Sequence, residues 1–369
     1  MSAVEAVRIV DARVAQLREL AVEAGLDAVL ATSDASIAYL TGFWGMQLER
    51  LFAVVVRADG GGAIIGPSLD REGIGTAPTG LEQVFYEPTS NGLPELRQVL
   101  TGATRVGVEE HHLNFGRSSA LTEAGLALEP AAALVMRLRE RKSADEVERL
   151  RAACAVVEQV LQRMWEQLRP GDEERTVNAR VDYWLRERGA TASHPLILFG
   201  EHAADPHGTP GSRRLAAGDV ICADVSAQIN GYWGDLTRCG TVGEPSDWAR
   251  RAHAVVREAH AAAVAETRPG VEARAVDAAQ RRIVEAAGDV GQSLHGAGHA
   301  IGTEVHEPPF LVPTATATLV EGMVFTIEPG IYRSGIGGIR LEDDVLVGAE
   351  GPVVLSTLPL ELSVVTNGE

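Results

Sequence analysis

Four acidic residues and one histidine, Asp224, Asp235, Glu328, Glu342 and His299, stand at spacings from which chemistry can be read. The first two belong to ICADVSAQINGYWGDLTRCG, where Asn230-Gly231 is the dipeptide that a two-residue type I′ turn prefers, since both central residues need positive φ. Such a turn fixes the register. Ile229 faces Tyr232, Asp224 faces Thr237 and Asp235 faces Ser226, so the two carboxylates share a face as diagonal neighbours about 7 Å apart. Apolar residues flank both acids, which places them in a core, where close carboxylates repel unless a cation neutralises them. One or two small divalent ions would do so. For this hairpin alone, the alternative is that Asp235 is a solvated turn acid.

The other two acids follow from an internal repeat. Arg169-Pro170-Gly171, with Glu173, Arg175 and Val177, recurs 99 residues later as Arg268-Pro269-Gly270 with Glu272, Arg274 and Val276. At the same offset Gly189 matches Gly288, and His207 with Pro210 matches His306 with Pro309. Downstream the offset widens to 104, where Gly218 matches Gly322 and Asp224 matches Glu328, and then to 107, where Asp235 matches Glu342. Each half reads as helix, helix, a loop with histidine, and two strands. If the sheets of the halves face each other, four carboxylates meet in one cavity, an arrangement that like-charge repulsion and desolvation make untenable without metal.

His299, in HGAGHAIG, has no counterpart at offset 99, where Gly200 stands, and can supply the single nitrogen of an otherwise oxygen site. Such a ligand set suits Mn²⁺, Co²⁺ or Zn²⁺ better than Ca²⁺. Two ions about 3.5–4 Å apart would bridge a water or hydroxide, lower its pKa and polarise a substrate carbonyl, which is the equipment of a hydrolase. His207 and His306, matched across the repeat, are placed at the flanks as donors to a tetrahedral intermediate or substrate carbonyls. The alternative for either one alone is a satisfied structural histidine. His295 stands nearby in sequence. Arg340, two residues before Glu342 on an expected strand, shares that acid's face and can orient its carboxylate, bind a substrate carboxylate, or form an ion pair with no substrate role.

The elements that must position these groups are legible in outline. Residues 4 to 24 carry apolar positions at helical spacing and end at Gly25. The short apolar runs DAVLAT, FAVVV, GAIIG, QVFYE and RVGVE then alternate with turns and helical patterns, so residues 1–138 are expected to form a small α/β domain. Its pair His111-His112 reads as surface. Near residue 140 the composition shifts to LRERKSADEVERLRAA, where Ser143 and Glu146 make a capping box ahead of a long helix. Residues 139–369 are the expected catalytic domain, and the whole is an α+β protein with duplicated halves.

Composition narrows the function. In 369 residues, a net charge of −18 argues against nucleic acid as a partner, because phosphate binding needs clustered Lys and Arg. No segment approaches the roughly 20 apolar residues of a membrane span, and the amino terminus has charges throughout and no signal-peptide core. Cys154, Cys222 and Cys239 have no metal-type spacing and leave an odd thiol, so they read as reduced packing residues in a cytoplasmic protein.

PHGTP at 206–210, DVSAQINGYWGDLTR at 224–238, GAGHAIGTEVHEPP at 296–309, TIEPG at 326–330 and GGIRLEDD at 337–344 together resemble the pita-bread metallopeptidases, and among them the Xaa-Pro peptidases, prolidase and aminopeptidase P. The resemblance runs from about Arg141 onward, and the N-terminal domain, with YLTGF at 39–43, is similar too. It implies metal ligation by Asp224, Asp235, His299, Glu328 and Glu342, two divalent ions with manganese first, and a bridging water that attacks the scissile carbonyl. It also implies that Glu328 shuttles the proton, that His207 and His306 steady substrate and intermediate with His295 and Arg340 nearby, and that the enzyme is a homodimer whose N-terminal domain limits substrate length. The chain departs from several prolidases at HEPPF, where Phe310 replaces an arginine that binds the dipeptide's carboxylate. Arg50, in GFWGMQLERLF, and Arg340 are the replacement candidates, although Arg50 also reads as a surface partner of Glu49. Phe199, Tyr232 and Phe310 are candidate walls for a proline ring. The expected activity is hydrolysis of Xaa-Pro dipeptides. The alternatives are aminopeptidase P action on longer peptides, a less proline-specific aminopeptidase, a creatinase-like carbon–nitrogen hydrolase and a peptide-binding module.

Overall fold

The computed structural model describes residues 3–45 and 47–366, and the chain divides into two compact units, Met1–Arg139 and Glu140–Glu369. Met46 of the GFWGMQLERLF stretch, and the first two and last three residues of the expected domains, lie outside the described residues.

The first unit is a six-stranded mixed sheet between helices. Along the chain run α1 (Ala3–Glu23), β1 (Ala28–Ala31), α2 (Asp34–Thr41), β2 (Ala53–Arg57), β3 (Gly62–Pro67), α3 (Arg71–Gly75), β4 (Glu82–Tyr86), α4 (Leu93–Val99), β5 (Arg105–Val108), α5 (Phe115–Glu123), β6 (Ala127–Pro130) and α6 (Ala132–Arg139). The strand order is β4-β3-β2-β1-β5-β6. Alternation along the strands splits the core in two: Val29, Ala31, Val54, Val56 and Ile64 meet Val14, Leu17 and Ala21 of α1, while Leu30, Val55 and Ile65 pack with Leu96 and Leu121 on the other face. The strand β6, ALEP, was not read from sequence; it is four residues long and none of them is buried. His111 and His112 are exposed.

The second unit is duplicated. Its first half contains α7 (Ala144–Gln167), α8 (Glu174–Glu187), β7 (Ala192–Phe199), β8 (Val220–Ile229) and β9 (Tyr232–Val242). The rest of the chain adds α9 (Asp247–Glu266), α10 (Ala273–Ala286), β10 (Gly298–Ala300), β11 (Glu307–Leu311), β12 (Val324–Ile327), β13 (Gly330–Arg333), β14 (Gly337–Arg340), β15 (Asp343–Gly348), β16 (Gly351–Val354) and β17 (Ser363–Val365). Helices α8 and α10 begin and end at positions one repeat offset apart. The glycine pairs share their backbone state as well: Gly171 and Gly270 have φ of 90° and 85°, and Gly218 and Gly322 have 82° and 92°. These are left-handed values that residues with a Cβ rarely adopt, which explains why glycine recurs there. The ties match too, with the amide of Gly171 donating to Leu215 and that of Gly270 donating to Leu319.

The strands form sheets of order β17-β9-β8-β7 and β11-β10-β12-β15-β16, with β13 and β14 as a separate pair. The capping box at Ser143 and Glu146 starts α7, which lies on the β8–β9 hairpin. Asn230 and Gly231 both have positive φ, 51° and 82°, and the ladder pairs Asp224 with Thr237 and Asp235 with Ser226. One face of β8, Ile221, Ala223, Val225 and Ala227, packs in the same cluster as Leu150, Ala153 and Val157 of α7. The other face carries Cys222, Asp224 and Ser226 away from that helix. The three cysteines are free and buried, and among the described residues no helix is long and apolar enough to cross a membrane.

Helix and hairpin approach most closely at Gly234, where a Cβ would fall 2.5 Å from the amide nitrogen of Cys154 and 2.7 Å from the carbonyl carbon of Ala153. Backbone cannot yield as a flexible side chain does. Gly234→Ala should therefore lower stability by about 1–3 kcal/mol or more, seen as a lower denaturant midpoint at constant m value.

Candidate metal centre

Asp224 and Asp235 project from the hairpin face opposite α7. Across from them, the second half supplies His299 from β10, Glu328 from the turn between β12 and β13, and Glu342 from the link between β14 and β15. An isolated antiparallel bridge joins Thr237 to Glu342 and stitches the halves together at the site. All five residues line one cavity of about 200 Å³, together with His207, His295, His306, Phe310 and Arg340. Ligand atoms of Asp235, His299 and Glu342, all buried residues, lie within 4.8 Å of one another.

The electrostatics fit a cation. Oδ1 of Asp235 is buried and has no hydrogen-bond partner. Burial first, then the neighbouring charges of Asp224, Asp344 and Glu328, push the Asp235 carboxyl well above the carboxylate range. Burial with Asp235 and Glu328 does the same to Glu342, and burial lifts Glu328 to about 7. Each of these acids is thus harder to ionise beside the others than alone, and a cation among them would oppose that shift. His299 is prepared in the complementary sense: burial, then His306, lowers its pKa to about 3, so it is neutral. Its Nδ1 lies 3.1 Å from the carbonyl of Ala300, an acceptor only, so Nδ1 carries the proton and Nε2 presents its lone pair, 3.6 Å from Glu328 Oε1.

A network fixes the acids. Arg340 donates from Nη2 to Asp224 at 2.5 Å, from Nη1 to the Tyr332 hydroxyl at 2.7 Å and from Nε to Thr237 Oγ1 at 3.2 Å. The Thr237 hydroxyl in turn donates a hydrogen bond to Glu342 Oε2 at 2.6 Å. Because arginine only donates, the Tyr332 proton points to His295 Nε2, 2.7 Å away, and His295 Nδ1–H points to the carbonyl of Gly296 at 2.9 Å. Burial, then Arg340, lowers His295 to about 4. Both nitrogens of His295 are thus engaged within the protein. Close strands also make glycine obligatory at Gly298, where a Cβ would sit 1.9 Å from the carbonyl oxygen of Thr326.

Several readings from sequence are corrected. Tyr232 is buried on the helix-facing side of the hairpin, where its hydroxyl donates to Glu146 at 2.8 Å, and Phe199 is fully buried in the same cluster; neither is a wall of the cavity. Arg340 holds Asp224 directly, whereas it reaches Glu342 only through Thr237; with its side chain 4% exposed it is a brace within the site. Arg50 lies in the N-terminal unit, its guanidinium 3.6 Å from Glu49, which is the surface pair also considered from sequence. Phe310, 45% exposed and paired in register with His299, does line the cavity beside Val312. Thr237 and Tyr332 were missed. The hairpin register already set Thr237 opposite Asp224, which was a usable signal; nothing in the spacing foretold Tyr332, which reaches the site from the separate β13–β14 pair.

Comparison with known proteins gives the same picture over most of the chain. Residues 148–349 match the model of metallopeptidase family M24, and residues 13–141 match the creatinase/prolidase N-terminal domain. An uncharacterized peptidase of Staphylococcus aureus is 32% identical over 335 residues, which are 89% of this chain and 94% of that one. The solved Xaa-Pro dipeptidase from Bacillus anthracis superposes with a TM-score of 0.89 at 31% identity, covering 95% of this chain and 99% of its own. The X-Pro aminopeptidase from Thermotoga maritima gives 0.84 at 28% identity, covering 92% and 98%.

The raised carboxyls dictate a sign. Acids with pKa values raised by folding bind extra protons in the native state, so the metal-free protein loses stability as pH climbs from about 4, the unfolded value, toward about 7, where Glu328 ionises. Removing one charge relieves the repulsion. Asp235→Asn should raise the metal-free melting temperature at pH 8 by an amount equivalent to about 1–3 kcal/mol, while abolishing metal binding and hydrolysis. Calorimetry with and without Mn²⁺ checks both arms, and a variant that stays active without metal would refute the assignment.

Proposed function

Since the chain belongs to metallopeptidase family M24, we propose that it cleaves the peptide bond before proline, in Xaa-Pro dipeptides first, with two divalent ions, manganese ahead of cobalt or zinc. The observation that carries this reading is the convergence of four carboxylates and one neutral imidazole in a cavity with three more histidines and the apolar side chains of Phe310 and Val312. Bound there by Asp224, Asp235, His299, Glu328 and Glu342, the ions would polarise the scissile carbonyl and acidify water.

The chain's own groups have separate tasks. Glu328, lifted by burial to about 7 in the metal-free protein, accepts a proton from water and returns it to the leaving nitrogen. That return is needed because the leaving nitrogen must gain a proton as the carbon–nitrogen bond breaks, so that it departs as an amine and not as an anion. His207 and His306 offer N–H groups to the carbonyl oxygen as negative charge builds on it. Arg340, Thr237 and Tyr332 hold the acids at fixed positions, so little reorganisation is required during the reaction. Phe310 and Val312 offer an apolar surface to the proline ring.

One observation favours a second reading, aminopeptidase P action on longer peptides. The only cation among the residues lining the cavity is Arg340, whose three nitrogens are already engaged, and the side chain at 310 is apolar. A dipeptide's free carboxylate gains nothing from either. The reading also includes a homodimer, an N-terminal unit that limits substrate length, and a cytoplasmic location, the last supported by three buried free thiols.

Metal-loaded protein should release amino acids from Ala-Pro and not from Ala-Ala. Turnover of Ala-Pro-Ala alone would move the assignment to aminopeptidase P, turnover of Ala-Ala would remove proline specificity, and silence on all three would overturn the peptidase reading. His306→Ala should cut kcat by about 100-fold with metal content unchanged; loss of metal instead would show that His306 is a ligand.

A further inference from the structure

We infer that the buried ion pair between Lys142 and Glu307 is a positioning device for the loop that carries His306, an inference that rests on the role given to His306 above. Both side chains are 1% exposed, and Nζ lies 3.1 Å from Glu307 Oε2. The other carboxylate oxygen, Oε1, accepts from the amides of Thr303 at 2.9 Å and Glu304 at 3.2 Å and from the Thr303 hydroxyl at 3.3 Å. The loop is thus wrapped around one carboxylate. Gly302 completes the wrap, since a Cβ there would lie 2.7 Å from either oxygen of Glu307.

The wrapped loop is attached to the hairpin that bears Asp224 and Asp235: the amide of Trp233 donates to Gly302 at 2.9 Å, and the Gln228 side chain donates to the carbonyl of Thr303 at 3.3 Å. Lys142 itself is fixed by its amide, which donates to the carbonyl of Gly322 at 2.7 Å. A cation from the start of the unit therefore reaches a carboxylate next to His306, whose ring is 4.1 Å from that of His299. Stability alone does not account for such a pair, because an apolar replacement of similar volume is commonly neutral or stabilising. What charge adds is direction: only one loop conformation brings the carboxylate of Glu307 to the ammonium and to the backbone N–H groups at once. Lys142 and Glu307 act through His306 and are positioning residues.

The test uses the metal-loaded full-length protein, Lys142→Met, and the charge-neutral double variant Lys142→Met/Glu307→Gln, which leaves no buried charge unpaired if the single variant fails to fold. In the folded variants kcat should fall by about 10- to 100-fold, as for a misplaced catalytic group, with KM changed by less than about 3-fold and metal content unchanged. Labelling with diethyl pyrocarbonate, read by peptide mass spectrometry, should accelerate at His306 and not at His207. Folded variants with parental kcat and parental His306 labelling would overturn the inference. If His306→Ala leaves kcat intact, the catalytic reading of His306 fails, while the labelling still decides whether the pair positions the loop.

Discussion

Mutual repulsion among carboxylates gathered out of water is the constraint on which this protein is built. Asp224, Asp235, Glu328 and Glu342 enclose a space too small and too poorly solvated for all of them to be ionised together. Two devices answer it. Arg340 neutralises Asp224 and reaches Glu342 through Thr237, while the orphaned oxygen of Asp235 and the lone pair of His299 could take up a cation. The arginine cannot satisfy the whole cluster, and a metal ion is the group that could meet the demand left over.

Duplication explains how a chain with few aromatic residues achieves such geometry. Each half contributes a pair of acids from equivalent positions, and each is anchored by left-handed glycines before and after its helix–loop segment. The halves then diverge where function needs asymmetry. The second half alone contributes His299 and Tyr332; the first contributes the long two-stranded hairpin on which the site is measured out.

The hairpin was legible in the sequence down to register because Asn230-Gly231 admits essentially one turn, and a single turn determines which residues face each other. The repeat was legible because glycine and proline mark backbone states that substitution does not preserve. What failed was the assignment of two of the three aromatic walls. Tyr232 and Phe199 are near the acids in sequence or sheet, but alternation along their strands turns them to the core against α7, and no count of residues says how far a site extends along a strand. For Arg340 the sequence offered Glu342, a substrate carboxylate or an unspecified ion pair, and the approach of the two sheets gives it Asp224, more than a hundred residues earlier. Long-range contacts of this kind, Tyr332 to His295 and Lys142 to Glu307 among them, depend on how sheets and loops pack, which local pattern does not encode.

The order of strands in the hairpin sheet also governs when the site can come into being. Strand β9, which carries Asp235, is flanked by β8 on one side and on the other by β17, whose Ser363 pairs with Gly240 in parallel. On a ribosome, Asp224 and Asp235 emerge long before Glu342 and before the strand that closes their sheet. A nascent chain therefore displays half a ligand set on an unfinished edge, too few donors to retain a divalent ion. A metal held by all five residues could therefore be captured only after the second half of the unit has been made and folded.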